Sequence, residues 1–262
     1  MIRALRTAAS GMFAEQLKID TVANNLSNVN TSGYKKQTVQ FQDLIYQSTH
    51  TAAAGQGDGT LAPVPIAVGH GVRPISTDRI FTQGSPTETN NPLDVMVEGT
   101  GFFQVTRADG RIAYTRDGTF KLSSDGTVVT SGGYRLEPEL RIPEDATSIV
   151  IGRDGAIAVT TLSSAQTETV GQLELAKFVN PAGLNPLGQN LFEETSSSGM
   201  PTVANPGQEG IGEVVQGYYE ASNVAVVEEM VAMILAQRAY EANSKSIITA
   251  DSMLQVVNSL KR

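Results

Sequence analysis

The residues able to do chemistry are few. His50 and His70 are the two imidazoles in 262 residues, and neither has a carboxylate at metal-ligand spacing. His50 sits in a Gly- and Thr-rich stretch and His70 in GHGVRP, so both read as loop residues. There is no cysteine, which removes thiolate nucleophiles, zinc–thiolate sites and disulfides together. The adjacent carboxylates Glu193-Glu194 and Glu228-Glu229 would face different directions on a strand or a helix and could not share one substrate. No G-x-S-x-G elbow and no Gly-Lys-Ser/Thr phosphate loop occurs, and the glycines of GQGDG at 55–59 have no strand and helix around them. Asp-Gly pairs at 109–110, 117–118, 125–126 and 154–155 could suggest calcium. However, no D-x-D-x-D-G loop with a glutamate at its twelfth position contains them. Their better reading is as turns, because Asp-Gly supplies the positive φ angles of tight hairpins. The residues imply no catalytic set, no metal and no cofactor, and hence a chain that is not an enzyme.

Those turns punctuate a β-rich stretch. From Leu93 to about Phe178 short alternating runs recur, among them DVMVEG, FFQVTR, RIAYTR, SIVIGR and AIAVTT. Regular short strands with such turns predict an antiparallel sandwich or barrel-like domain over 93–189. The ends differ in kind. Leu5, Met12, Ile19 and Leu26 fall seven apart, with Ile2, Ala9, Gln16 and Ala23 three residues ahead of each. Near the other end Val226, Met233, Tyr240, Ile247 and Leu254 repeat the spacing, and Met230, Gln237, Ser244, Asp251 and Asn258 interleave with them. Alternating steps of three and four keep one stripe of a helix against another helix. A second stripe, Val224, Val227, Val231, Ile234 and Ile248, predicts contact on more than one side of the last helix.

The expected class is therefore α+β. Paired coiled-coil helices from 1–36 and 220–262 bracket the central antiparallel domain, and 37–92 with 190–219 connect them. Within the connection YQSTHTAAAGQGDGTLAP, 46–63, reads as a linker from its composition. Residues 1–36 carry five Lys/Arg against two Asp/Glu, while 37–219 carry ten against twenty. With a net charge of −8 the chain has no basic stripe for nucleic acid. Its longest apolar run, MVAMILA at 230–236, is far short of the ~20 residues of a membrane span. The amphipathic start does not resemble a cleaved signal peptide.

One stretch fits this scheme awkwardly. VANNLSNVNTSGYKK, 22–36, loads a helix end with Asn24, Asn25, Asn28 and Asn30, poor helix formers that want hydrogen-bond partners. In the heptad frame Asn24, Asn25 and Asn28 point away from the seam, where neighbouring chains could supply those partners. Gly33 is then the turn by which Tyr34, Lys35 and Lys36 leave the helix.

ANNLSNVNTSGYK (23–35) and VAMILAQRAYEANSKSIITADSMLQVVNSL (231–260) resemble the paired terminal signatures of the bacterial flagellar rod and hook proteins. GVRPISTDRIFTQG, TNNPLDVMVEGTGFFQV, YTRDGTF, LSSDGTVVTSGGY and QGYYEASNVAVVEEM extend the likeness over nearly the whole chain, and the middle motifs point to the distal stretch of the rod. The resemblance implies a structural subunit of a straight, rigid, hollow shaft that transmits torque and encloses an export channel, with the hook or the proximal rod as the alternative. It implies a homopolymer packed through Leu5, Met12, Ile19, Leu26, Val226, Met230, Met233, Tyr240, Ile247 and Leu254, with Asn24, Asn25 and Asn28 at the meeting of helix ends. The implied partners are further copies of the chain, proximal rod proteins, hook protein, the P- and L-rings as bushing, a rod cap during assembly, and the flagellar export apparatus. The implied place is the basal body from periplasm to outer membrane, reached without signal-peptide cleavage. For 46–63 the resemblance implies an ordered contact along the shaft, where composition predicts a linker.

Overall fold

The computed structural model describes residues 2–50, 66–143, 145–161 and 167–260. The α+β class holds: one long helix at each end and a β-rich region between them. The chain divides into two compact units.

Unit 1 takes Met1–Leu26, Gln37–Asp78 and Ala225–Arg262. It contains α1 (Ile2–Ser27), the strands β1 (Gln37–Asp43), β2 (Tyr46–His50), β3 (Ile66–Gly69) and β4 (Val72–Arg79), and α2 (Val226–Ser259). β1 pairs with β4 and β2 with β3. The expected linker therefore begins as a strand, with Tyr46 opposite Gly69 and Gln47 opposite Val68. Aromatic and β-branched residues favour this pleated ribbon at both of its ends, a preference that an average over eighteen residues conceals. The rest of that segment, 51–63, lies outside the described residues.

Unit 2 takes Ser27–Lys36 and Arg79–Val224. Its strands are β5 (Pro86–Glu88), β6 (Val95–Glu98), β7 (Phe102–Thr106), β8 (Ile112–Thr115), β9 (Phe120–Leu122), β10 (Val128–Thr130), β11 (Arg135–Glu137), β12 (Ala146–Ile151), β13 (Ala156–Thr161), β14 (Thr167–Gln172), β15 (Leu175–Lys177), β16 (Asn185–Gly188), β17 (Leu191–Glu193), β18 (Thr202–Ala204), β19 (Glu213–Gln216) and β20 (Tyr218–Glu220). The main sheet runs β16-β17-β8-β7-β11-β10-β9, with β15 joining β7 to β18. β12-β13-β14 form a separate meander, β19 pairs with β6, and β20 pairs with β5. Alternate residues of β6, β7, β13 and β15 meet in a core built on Val95, Phe103, Val105, Phe120, Val159 and Leu175. A second cluster gathers Phe102, Tyr114, Phe178 and Phe192, with rings edge-on at 4.7–6.2 Å.

Gly110, Gly126 and Gly155 have φ of +78°, +73° and +82°, and they turn β7 into β8, β9 into β10 and β12 into β13. Asp117-Gly118 differs. Gly118 is needed for space, because a Cβ there would overlap the Val95 carbonyl oxygen. Asp117 Oδ1 accepts from Ser32 Oγ at 2.8 Å and Thr119 Oγ1 at 2.9 Å.

Candidate assembly site

In unit 1 the two helices run antiparallel in one register. Asn25 meets Glu229, Gly11 meets Asn243, and Ala4 shares a groove with Ala250. The column that this register defines runs through positions 4, 11, 18 and 25 of α1 and positions 229, 236, 243 and 250 of α2. The heptad spacing is present, but its phase is not the apolar one. On α1 the column stands one residue before Leu5, Met12, Ile19 and Leu26, which are half-buried at its flank. On α2 it stands three residues after Val226, Met233, Tyr240 and Ile247; Met233, Ile247 and Leu254 are half-buried, and Val226, Met230 and Tyr240 are exposed. Small residues explain the shift. A Cβ on Gly11 would lie 2.8 Å from the Asn243 amide nitrogen, and Ala236 has no exposed surface, so the backbones approach closest where side chains are smallest. A groove of about 530 Å³ opens beside Ala4, Ala242, Lys245 and Met253.

In this register α2 runs past the start of α1. Met253, Val256, Val257 and Leu260 are exposed there, as are Val227, Val231, Ile234 and Leu235 along the outer side.

The asparagines divide. Asn25 is 1% exposed, and its amide is used within the chain. Nδ2 donates to Gln37 O at 2.8 Å and Glu229 Oε2 at 3.1 Å, and Oδ1 accepts from the Gln37 N–H at 2.9 Å. This corrects the expectation that Asn25 faces outward. It ties the end of α1, the start of β1 and the first turn of α2 together, where a carboxylate also suits the helix N-terminus. Asn28 is half-buried and accepts from Thr31 Oγ1 at 3.2 Å, and Asn24 is exposed.

Gly33 is the expected turn, at φ +66°. It is also tightly enclosed within unit 2, since a Cβ would lie 2.6 Å from Asp117 N and 2.8 Å from the Arg116 carbonyl carbon. The basic pair beyond it is not an exposed patch. Lys35 is 0% exposed, its ammonium 2.5 Å from Glu220 Oε1 and donating to Thr82 O at 2.7 Å. Arg116, 4% exposed, places Nε 3.8 Å from Glu220 Oε2, close enough for attraction but too long for a hydrogen bond. Burial pushes Lys35 and Arg116 below their usual ranges, and Glu220 opposes the shift in both. Arg79 lies 5.5 Å from the Tyr34 and Phe192 rings and donates to Lys35 O at 3.1 Å. No sequence signal marked Glu220 or Arg116 as partners of Lys35, because a lone charge in a strand carries no address. Among the described residues no cluster of His, Asp and Glu could hold a metal ion.

Comparison with known proteins decides what these helices belong to. Residues 5–35 match the family described as flagella basal body rod protein, 96–159 the flagellar hook protein FlgE/F/G D1 domain, and 215–260 the flagellar basal body rod FlgEFG protein C-terminal family. Several relatives carry the name flagellar basal-body rod protein FlgG. The chain is 50% identical to that of Borreliella burgdorferi, over all of both chains. It is 46% identical to that of Caulobacter vibrioides, over 99% of this chain and all of the relative, and 38% identical to that of Bacillus subtilis, over all of both.

The chain belongs to the flagellar basal-body rod protein family.

The rod-family matches coincide with the elements just described. The first covers α1 and the Gly33 turn, the second runs from β6 into β13, and the third takes the end of β19, β20 and α2. Both polar nodes, Asn25 with Glu229 and Lys35 with Glu220, join the first matched segment to the third.

Proposed function

We propose that this protein is the structural subunit of the distal rod, polymerising into a straight, rigid, hollow shaft. The shaft transmits torque and encloses the export channel. The observation that carries this reading is the end of α2, where Met253, Val256, Val257 and Leu260 stand exposed beyond the start of α1. An apolar helix end of this kind gains its stability by covering that face, and another copy offers the same helices. Leu5, Met12, Ile19, Leu26, Met233, Ile247 and Leu254, half-buried in one chain, and Val226, Met230 and Tyr240, exposed, are then covered by neighbours. Asn24 and Asn28 sit where helix ends of neighbouring copies meet, and the β-rich domain forms the outer surface of the shaft. Proximal rod, hook, the P- and L-rings, a rod cap and the export apparatus complete its set of partners, and it spans periplasm to outer membrane.

Electron microscopy of assembled protein tests this. Wild type gives straight tubes, whereas Val257→Asp gives none and keeps the thermal midpoint of the monomer. Curved tubes would reassign the chain to the hook. A Val257→Asp variant that assembles normally would remove the basis of the reading.

A further inference from the structure

The buried charges of unit 2 join stretches far apart in the sequence. Lys35 lies eight residues after α1, Glu220 six residues before α2, and Arg116 between them in the chain. One carboxylate faces both cations, and it is held from several sides. Glu220 Oε1 accepts from Lys35 and from the Gly84 N–H at 2.7 Å, and its main-chain oxygen accepts from the Gly33 N–H at 2.8 Å. Asn223 adds a neutral bolt: its Oδ1 accepts from the Lys36 N–H at 2.7 Å, and its Nδ2 donates to Ile80 O at 2.7 Å and Thr82 Oγ1 at 3.0 Å.

Three segments, 32–36, 79–84 and 218–224, thus close on a single acidic side chain. Remove the last and two buried cations lose their counter-charge, a far larger penalty than losing an exposed pair. The intact β core does not require this cluster, because Phe103, Val105 and Leu175 pack among themselves.

We propose that Lys35, Arg116, Glu220 and Asn223 form a two-ended clasp that shuts unit 2 only once both ends of its chain have arrived. The clasp holds together the two strands of chain that lead to α1 and α2, so releasing it loosens those tethers while leaving the sheet folded. Its consequence for assembly rests on the distal-rod reading above; its existence does not.

The test is hydrogen exchange on the full-length monomer of wild type, Glu220→Gln and the pair Lys35→Met/Glu220→Gln. In Glu220→Gln the amides of Gly33, Ile80, Gly84 and Ala221 exchange faster together, on the order of a hundredfold, as expected for a buried ion pair stripped of one partner. The β7 and β8 amides keep their protection. The double variant, relieved of one stranded cation, recovers at least tenfold of that loss. Loosening confined to 218–224, loss of protection through β7 and β8, or no recovery in the double variant would each overturn the clasp. Should the clasp behave as expected in the monomer while wild type forms no tubes, the distal-rod reading fails and the clasp stands.

Discussion

Asn25→Ala separates what one chain does for itself from what its neighbours do. The substitution deletes at least three hydrogen bonds, among them two to the main chain of Gln37 and one to the Glu229 carboxylate. A neutral bond contributes about 0.5–1.5 kcal/mol and one to a charged group about 1.5–3, so the bare sum is roughly 2.5–6 kcal/mol. Water reaches half-buried Gln37 and satisfies part of what is lost, which brings the expectation to about 3 kcal/mol. The assay is urea denaturation of the monomer followed by far-ultraviolet circular dichroism, whose helical signal comes from unit 1. Asn25→Asp is at least as damaging, since it keeps the shape, loses the donors and sets a second carboxylate 3.1 Å from Glu229 Oε2. A cost below about 1 kcal/mol for Asn25→Ala would refute the argument, because the node would then hold nothing together.

The remaining expectations concern space and charge. Gly33→Ala combines an αL conformation, costing about 1–2 kcal/mol, with a Cβ driven against the backbone at Arg116 and Asp117; near-ultraviolet dichroism of the tyrosines should show unit 2 losing at least about 3 kcal/mol. Gly11→Leu would wedge the helix pair apart at Asn243, lowering the thermal midpoint of the helical signal while leaving the tyrosine signal in place. Tyr114 is buried and donates to Glu194 Oε2 at 3.2 Å; burial first, and then that carboxylate, raises its pKa well above 10.0. The folded chain then binds more protons than the unfolded one above pH 10, so this group's contribution is full below pH 10 and is lost as pH rises through the folded value. Tyr114→Phe should show a shallower fall of the thermal midpoint across alkaline pH than wild type, and an unchanged slope would contradict the shift. Lys35 acts in the opposite sense: its lowered value makes stability rise with pH up to the unfolded value of 10.5, so the Tyr114 comparison must be made at fixed Lys35.

Much of the architecture was legible because its signals are local. An Asp-Gly pair needs nothing beyond its neighbours to turn β7 into β8 or β12 into β13. Asp117-Gly118 has the same two letters but depends on Val95, more than twenty residues earlier, which no local pattern contains. The ribbon of β2 and β3 was hidden for a related reason. Its strand-forming residues flank a long low-complexity stretch, and averaging across that stretch reports only the composition.

The helix seam makes the same point about phase. Hydropathy weights a column by how much apolar surface it carries, so Leu5, Met12, Ile19 and Leu26 stood out. Contact distance responds to size, and the close approach falls on Gly11 and Ala236, with the larger residues left at the flank. A seven-residue period is common to both columns and cannot distinguish them. What can is the partner: a seam within one chain selects the small column, and the flanking apolar column remains for a second contact. Lys35 and Asn25 follow from the same reasoning. Each looked like a surface residue while its surroundings were taken from sequence neighbours, and each is buried because Glu220 and Glu229 approach from across the chain. A polar residue at a chain crossing is thus better read as half of a pair whose other half has yet to be found than as a solvated end.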